Sequence, residues 1–219
     1  MPEGKPSLPS YDVSVFNNCP FDNCYQPIFR SLIFVVFECG LRPRCALEVS
    51  DSGEVRFEKI MRIIRGCRWG IHDISRTEQN LRGLPRFNMP LELGLLLGAH
   101  RFGAGVQRRK SCLVLDSEQY RYQEFISDIA GQDIAAHGND VGRAVKAVRD
   151  WLATAKAGTA NPPGAGTIQQ RFARFQTYLP DICAASHRQA DELTFVEFAD
   201  AASMWLRREL ALPAEPSRD

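Results

Sequence analysis

Four short apolar runs, each followed by a segment of helical periodicity, constrain this chain more than any other feature of its sequence. The runs are Tyr11–Phe16, Leu41–Leu47, Trp69–Ser75 and Cys112–Asp116. In the first, Val13 and Val15 alternate with polar neighbours until Asn17-Asn18-Cys19-Pro20 breaks the run, the pattern of a strand entering a loop. From Asp22 to Glu38 the apolar positions Ile28, Phe29, Leu32, Ile33, Val36 and Phe37 recur at helical spacing, and Gly40 offers a stop. Val55–Cys67 reads as an amphipathic helix, with Ile60, Met61, Ile63 and Ile64 opposite Arg56, Lys59, Arg62 and Arg65. A polar loop from Arg76 to Phe87 leads to an apolar helix, Pro90–His100. Strands alternating with helices imply a parallel sheet covered on both faces.

The remainder extends this pattern and then leaves it. Tyr120 to Ile129 reads as a mostly helical connection, Gln132–Ala136 as a weak fifth strand, and Asp140–Ala155 as a closing helix. Prolines and glycines between 157 and 166 mark a linker. Beyond it Ile168, Phe172, Phe175 and Leu179 share one helical stripe, and Thr194 with Glu197 forms a capping box that opens a second helix. The expected organisation is a flexible start (1–10), an α/β domain (11–156), the linker (157–166) and a helical appendage (167–219) ending in a frayed tail.

Charge and cysteine content exclude several classes. With 27 Lys and Arg against 26 Asp and Glu the net charge is +1, so no global field attracts a polyanion and nucleic acid is not an expected partner. Arg108, Arg109 and Lys110 read as a solvated turn, and Arg42 and Arg44 as surface arginines. The start lacks the apolar region of a secretory signal, and the longest apolar stretch, Ile28–Cys39, is too short and too interrupted to span a bilayer. Seven cysteines, an odd number, mostly sit in apolar segments as small hydrophobes, which points to a reducing, cytoplasmic setting. Cys19 and Cys24 have no histidine at zinc-binding spacing, so no metal is expected. Ser75 and Ser111 lack the partners of a serine hydrolase, and Gly103-Ala-Gly105 lacks those of a phosphate loop.

In an open parallel sheet, ligands bind beyond the carboxyl ends of the strands. The segments Phe16–Asp22, Asp73–Ser75 and Phe87–Glu92 meet that condition. In the last, Asn88 is placed as an N-cap, Pro90 suits the first turn, and Glu92 follows one turn later. Glu92 shares a helical face with Leu95 and Leu96, so its carboxylate leaves the helix in apolar surroundings that raise its pKa. One reading has it complement the helix dipole or bond back to the cap. The other, favoured because the helix carries no second acid, is a functional carboxylate facing a ligand. Gly94 and Gly98 read as close-packing positions, His72 as a core or sheet-edge histidine, and His100 as a dipole-complementing residue at a helix end.

The opening strand followed by Asn-Asn-Cys-Pro-Phe-Asp, the strand-terminal His-Asp-Ile-Ser and the helix Glu-Leu-Gly-Leu-Leu-Leu-Gly-Ala together resemble the nucleoside 2-deoxyribosyltransferase superfamily and its TIR-like relatives, over Tyr11 to Asp150. The resemblance implies a flavodoxin-like, doubly wound sheet of four to five strands. It implies cleavage or transfer at the N-glycosidic bond of a nucleoside, nucleotide or NAD-like molecule, with no further cofactor and a possible role in bacterial defence. Glu92 matches the catalytic glutamate and Asp73 the acid that contacts the sugar or orients the site. Phe16, Asn17 and Phe21 would border base and ribose, with Ser75, Asn88 and Met89 in the adjoining segments. Asn88 stands near where deoxyribosyltransferases often carry a further aspartate, which speaks against transfer to a second base. The competing expectation is a non-catalytic nucleotide-sensing or assembly module, with a homo-oligomer or protein partner engaged through the C-terminal helices.

Overall fold

The computed structural model describes residues 11–77 and 86–211. The first ten residues, most of the polar loop expected after the third strand, and the tail from 212 lie outside the described residues. The strands are β1 (Ser14–Asn18), β2 (Arg42–Arg44), β3 (Trp69–Asp73), β4 (Ser111–Asp116) and β5 (Ile134–Ala136). They form one parallel sheet in the order β2-β1-β3-β4-β5. The helices are α1 (Gln26–Glu38), α2 (Arg56–Arg65), α3 (Asn88–Phe102), α4 (Val141–Thr154), α5 (Ala165–Ala184) and α6 (Phe195–Ala211). This is the α/β, flavodoxin-like arrangement expected from the sequence. The order reverses between β1 and β3, the switch point beyond whose carboxyl ends ligands bind in sheets of this kind.

Alternation along the strands sorts side chains onto two faces. Val15, Trp69, Ile71, Leu113 and Leu115 meet α1, α4, α5 and α6 in one core cluster. Phe16 turns the other way, into a cluster with Ile60, Ile63 and Ile64 of α2 and Leu96 of α3. Gly70 permits that second packing: a Cβ there would lie 2.5 Å from Leu96 Cδ1. The close approach expected at Gly94 and Gly98 is not made there, since both face open space. The contact needs a missing side chain on the strand, not on the helix.

Helix α1 is apolar over most of its surface because most of that surface is covered. Ile28, Leu32, Ile33, Val35 and Val36 are buried, and Phe34 stacks on Phe175 at 5.5 Å with Phe172 and Trp205 alongside. The C-terminal helices therefore share the core of the sheet domain. The linker itself docks: the Thr159 amide donates to the Cys39 carbonyl at 2.9 Å, and Gly158 adopts φ +69° against that same carbonyl, where a Cβ would be 1.9 Å away. The capping box at the start of α6 forms, with Thr194 N donating to Glu197 Oε2 at 2.9 Å and Glu197 N to Thr194 Oγ1 at 3.3 Å.

Two local expectations are corrected. The connection between β4 and β5 holds two short 3-10 turns, Arg121–Glu124 and Ser127–Ile129, in place of a helix. Lys110 is no solvated turn residue but is buried, its ammonium donating to Ile64 O at 2.6 Å and to Cys67 O at the C-terminal end of α2. Burial lowers its pKa from 10.5 to about 8.

Candidate functional site

The carboxyl edge of the sheet gathers several buried polar side chains: Asn18 from β1, His72 and Asp73 from β3, Asp116 from β4, His137 beyond β5 and Glu92 from the first turns of α3. Polar groups are removed from water at this density only where hydrogen bonds or a function hold them there.

On the α3 face, the Asn18 amide Nδ2 donates to Met89 O at 2.8 Å and to His72 Nδ1 at 2.9 Å, which ties the start of α3 to β1 and β3. That network assigns the His72 proton to Nε2, an atom enclosed without a partner. Burial holds His72 neutral, its pKa lowered from 6.5 to about 3. His72 is thus a core histidine, as the sequence indicates. Three residues past Met89, Glu92 lies on the same side of the helix, 7% exposed. Among the described residues it makes no hydrogen bond or ion pair, and its oxygens are not among the fully enclosed side-chain atoms that lack partners, so they keep a contact with solvent. Burial raises its pKa from 4.5 to about 7, with the Arg56 charge opposing weakly. Gly70 and Leu96 seat the helix that delivers it.

On the opposite face, Asp73 has no exposed surface. Its Oδ2 accepts from the Tyr25 hydroxyl at 2.5 Å and from His137 Nε2 at 2.9 Å, and its Oδ1 accepts from the Ser75 amide at 2.9 Å. Asn139 N donates to His137 Nδ1 at 2.9 Å, so the network places the imidazole proton on Nε2, toward the carboxylate. Burial and the neighbouring carboxylate push the Tyr25 hydroxyl well above its ordinary pKa, so it stays a donor. Asp73 thus joins the start of α1, the end of β3 and the end of β5. It is distinct from Glu92 in its surroundings, yet both charges reach one thiol: burial chiefly raises the Cys19 pKa, and Cys45, Asp73 and Glu92 add to it.

A third cluster closes the β4 end. Asp116 Oδ1 accepts from Arg121 Nη2 at 2.6 Å and from Ser117 N at 2.7 Å, while Oδ2 is enclosed without a partner. Burial raises the Asp116 pKa against the pull of Arg121. Arg121 also donates to Ile74 O at 2.9 Å and Thr77 Oγ1 at 3.2 Å, bracing the segment that follows β3.

The remaining residues expected at the site divide. Phe16 is a strand residue with no exposed surface, edge-on to His72 at 5.9 Å. Asn17 points to the α1 face, where its amide donates to Val15 O at 3.1 Å and Arg44 O at 3.3 Å; its neighbour Asn18 faces α3 instead. Phe21 packs on Phe29 at 5.3 Å. Ser75 is buried, with its hydroxyl lacking a partner. Met89 belongs to a third core cluster with Ile74 and Leu93. Asn88 is exposed and is the first residue of α3, not its cap; the N-cap position falls on Phe87, which makes no side-chain capping bond.

Tyr25, His137, Asp116 and Arg121 were not expected. His137 and Asp116 each stand at or just past a strand's carboxyl end, the signal that singled out Asp73, but a three-residue β5 followed by Gly-Asn-Asp reads as a turn. Among the described residues no group of three or more His, Cys, Asp or Glu side chains is placed to hold a metal ion. Among them, too, no helix is long and apolar enough to cross a membrane. No protein family matches the chain in comparison with known families, and no curated protein matches it.

Proposed function

We propose that this chain cleaves, or transfers the sugar across, the N-glycosidic bond of a nucleoside, nucleotide or NAD-like molecule, with Glu92 as the catalytic carboxylate. The observation that carries the reading is a carboxyl unpaired among the described residues, almost fully buried yet touching solvent, on the helix beside the switch point between β1 and β3. As the bond from the anomeric carbon to the base nitrogen breaks, its electron pair leaves with the base and positive charge develops on the sugar; a purine or pyrimidine takes up a proton as it leaves, whereas a nicotinamide, already cationic at that nitrogen, leaves neutral without one. A carboxylate in a weakly solvated site stabilises that charge or adds to the anomeric carbon. Water, or a second base, then adds to the sugar carbon and loses a proton, which balances the one taken up by a purine or pyrimidine and passes to solvent when nicotinamide is the leaving group. In this scheme Asp73 is a positioning residue: it holds Tyr25 and His137 beside the switch point. The buried thiols suit a cytoplasmic protein, and the resemblance extends the reading to a defence effector.

The test is to incubate the protein with NAD and a panel of nucleosides and nucleotides and to follow free base by chromatography. Release should rise as pH passes through about 7, because the ionised form of Glu92 does the work. Glu92→Gln should abolish it; base release that continues unchanged in this variant removes Glu92 from the mechanism. The competing reading, a sensor that binds such a ligand without turnover, draws on Asp73, whose oxygens are already engaged and are not offered to ribose hydroxyls. Tight binding with no release supports it.

A further inference from the structure

Beyond β1 and β3, hydrogen-bond donors gather without acceptors. Arg76, directly after Ser75, and Arg86, two residues before α3, converge on one carboxylate: Arg76 Nε lies 3.9 Å and Arg86 Nη1 4.0 Å from Asp22 Oδ2. Neither distance is a hydrogen bond. Arg76 Nε is nonetheless enclosed and has no acceptor among the described residues, and the Ser75 hydroxyl, on a residue 1% exposed, has none among them either. The first turn of α3, next to Arg86, starts without a side-chain cap and adds backbone amides of its own.

Buried donors are left unsatisfied at a cost of about 1–3 kcal/mol each, so the two on the consecutive residues Ser75 and Arg76 call for an absent acceptor, while the Arg86 side chain, 56% exposed, is free to reach it. Charge indicates its sign: among the described residues two guanidinium groups face the one carboxylate of Asp22, a surplus of one positive charge. Asp22 is itself fixed, its Oδ1 accepting from the Tyr25 amide at 3.1 Å. The same Tyr25 reaches Asp73 through its hydroxyl, so the arginine pair and the polar edge of the sheet are joined through one residue.

We infer that the switch point takes a phosphate-bearing ligand, a nucleoside phosphate or a dinucleotide in preference to a free nucleoside, with Arg76, Arg86 and Ser75 receiving the phosphate oxygens. This narrows the substrate class of the proposed glycosidic site and rests on that reading for its reaction, though not for its binding. Guanidinium groups suit phosphate because their planar N–H pairs match two of its oxygens. Asp22 occupies part of the arginines' field in the free protein and opposes the incoming anion.

Inorganic pyrophosphate, which has no glycosidic bond, is the probe for binding, followed by calorimetry at low salt. Arg76→Gln and Arg86→Gln should each weaken it by about tenfold. Asp22→Asn keeps an oxygen for the Tyr25 amide while removing the opposing charge, and should tighten binding. A gain of affinity cannot come from misfolding, so this variant decides the matter even if an arginine variant folds poorly. No binding at millimolar pyrophosphate, or affinities indifferent to all three substitutions, overturns the inference. In the cleavage assay, kcat/KM should favour a nucleoside 5′-monophosphate over its nucleoside by at least about tenfold, with the preference lost in Arg76→Gln. Equal cleavage of the two sinks the inference and leaves the glycosidic reading standing. The pyrophosphate pattern without cleavage of any substrate does the reverse.

Discussion

Replacing Glu92 by glutamine should make the protein more stable, and by an amount that depends on pH. The wild-type carboxyl has its pKa raised from 4.5 to about 7 by burial. A group whose folded pKa lies above its unfolded value opposes folding wherever the unfolded chain ionises first. The penalty is absent below about pH 4.5, grows as pH rises, and is complete above about 7. At about 1.36 kcal/mol per pH unit, that interval amounts to roughly 3 kcal/mol. Glutamine keeps the shape, carries no charge, and escapes the penalty. At pH 8 the variant should therefore melt about 6–12 °C above wild type, whereas near pH 4 the two should melt together. Urea unfolding at both pH values gives the free energies directly. Equal stability at pH 8 would mean that the carboxylate is paired or well hydrated in the folded protein. A constant difference at both pH values would mean that packing, not ionisation, separates the variants. Either result removes the strained carboxyl on which the proposed chemistry depends. Loss of base release together with a gain of stability is the signature of a residue kept for function at the expense of folding.

Two further measurements probe the scaffold. Phe34→Ala should cost about 3–5 kcal/mol in urea unfolding, because it opens a void among Phe172, Phe175 and Trp205; a loss below about 1.5 kcal/mol would mean that α5 and α6 pack on α1 only loosely. Gly94→Ala and Gly158→Ala should move stability in opposite directions in parallel thermal melts. The first gains up to about 1 kcal/mol of helix propensity in open space, and the second loses more than that to a left-handed backbone and the Cys39 carbonyl. Destabilisation by Gly94→Ala would contradict the open surroundings of that position.

The parallel sheet was legible in the sequence because each strand and its following helix carry their own period. Even the marginal β5 could be placed from a short run after a loop. The raised pKa of Glu92 was legible too, since the one acid of its helix shares a face with Leu95 and Leu96 and so leaves the helix in apolar surroundings. The face of a strand residue is harder to read. Asn17 and Asn18 are identical in type and adjacent, and only the register with β3, Asn17 beside Ile71 and Asn18 beside His72, decides which of them meets α3. The partners of Asp73 were invisible for a related reason. Tyr25 precedes it by 48 residues and His137 follows it by 64, and no local pattern encodes a contact across that separation. Gly70 was missed because a glycine within a strand reads as a weakness until the leucine that fills its place is known.

The largely apolar surface of α1 links the C-terminal helices to the site. A helix with so much apolar surface on the side turned away from the sheet needs a cover there, and α5 and α6 supply it. Arg30 of α1 donates to Ala190 O at 2.6 Å, and Glu38 at the other end of the helix pairs with Arg171 at 3.1 Å, so the cover grips α1 at both ends. Helix α1 begins one residue after Tyr25, whose amide holds Asp22 and whose hydroxyl holds Asp73. The position of that tyrosine is set by a helix clamped between two layers. The C-terminal helices therefore act on the switch point through α1, by fixing the residue that joins the arginine pair to the buried carboxylate. A side chain so far from α5 and α6 in sequence depends on them because packed helices transmit position with little slack.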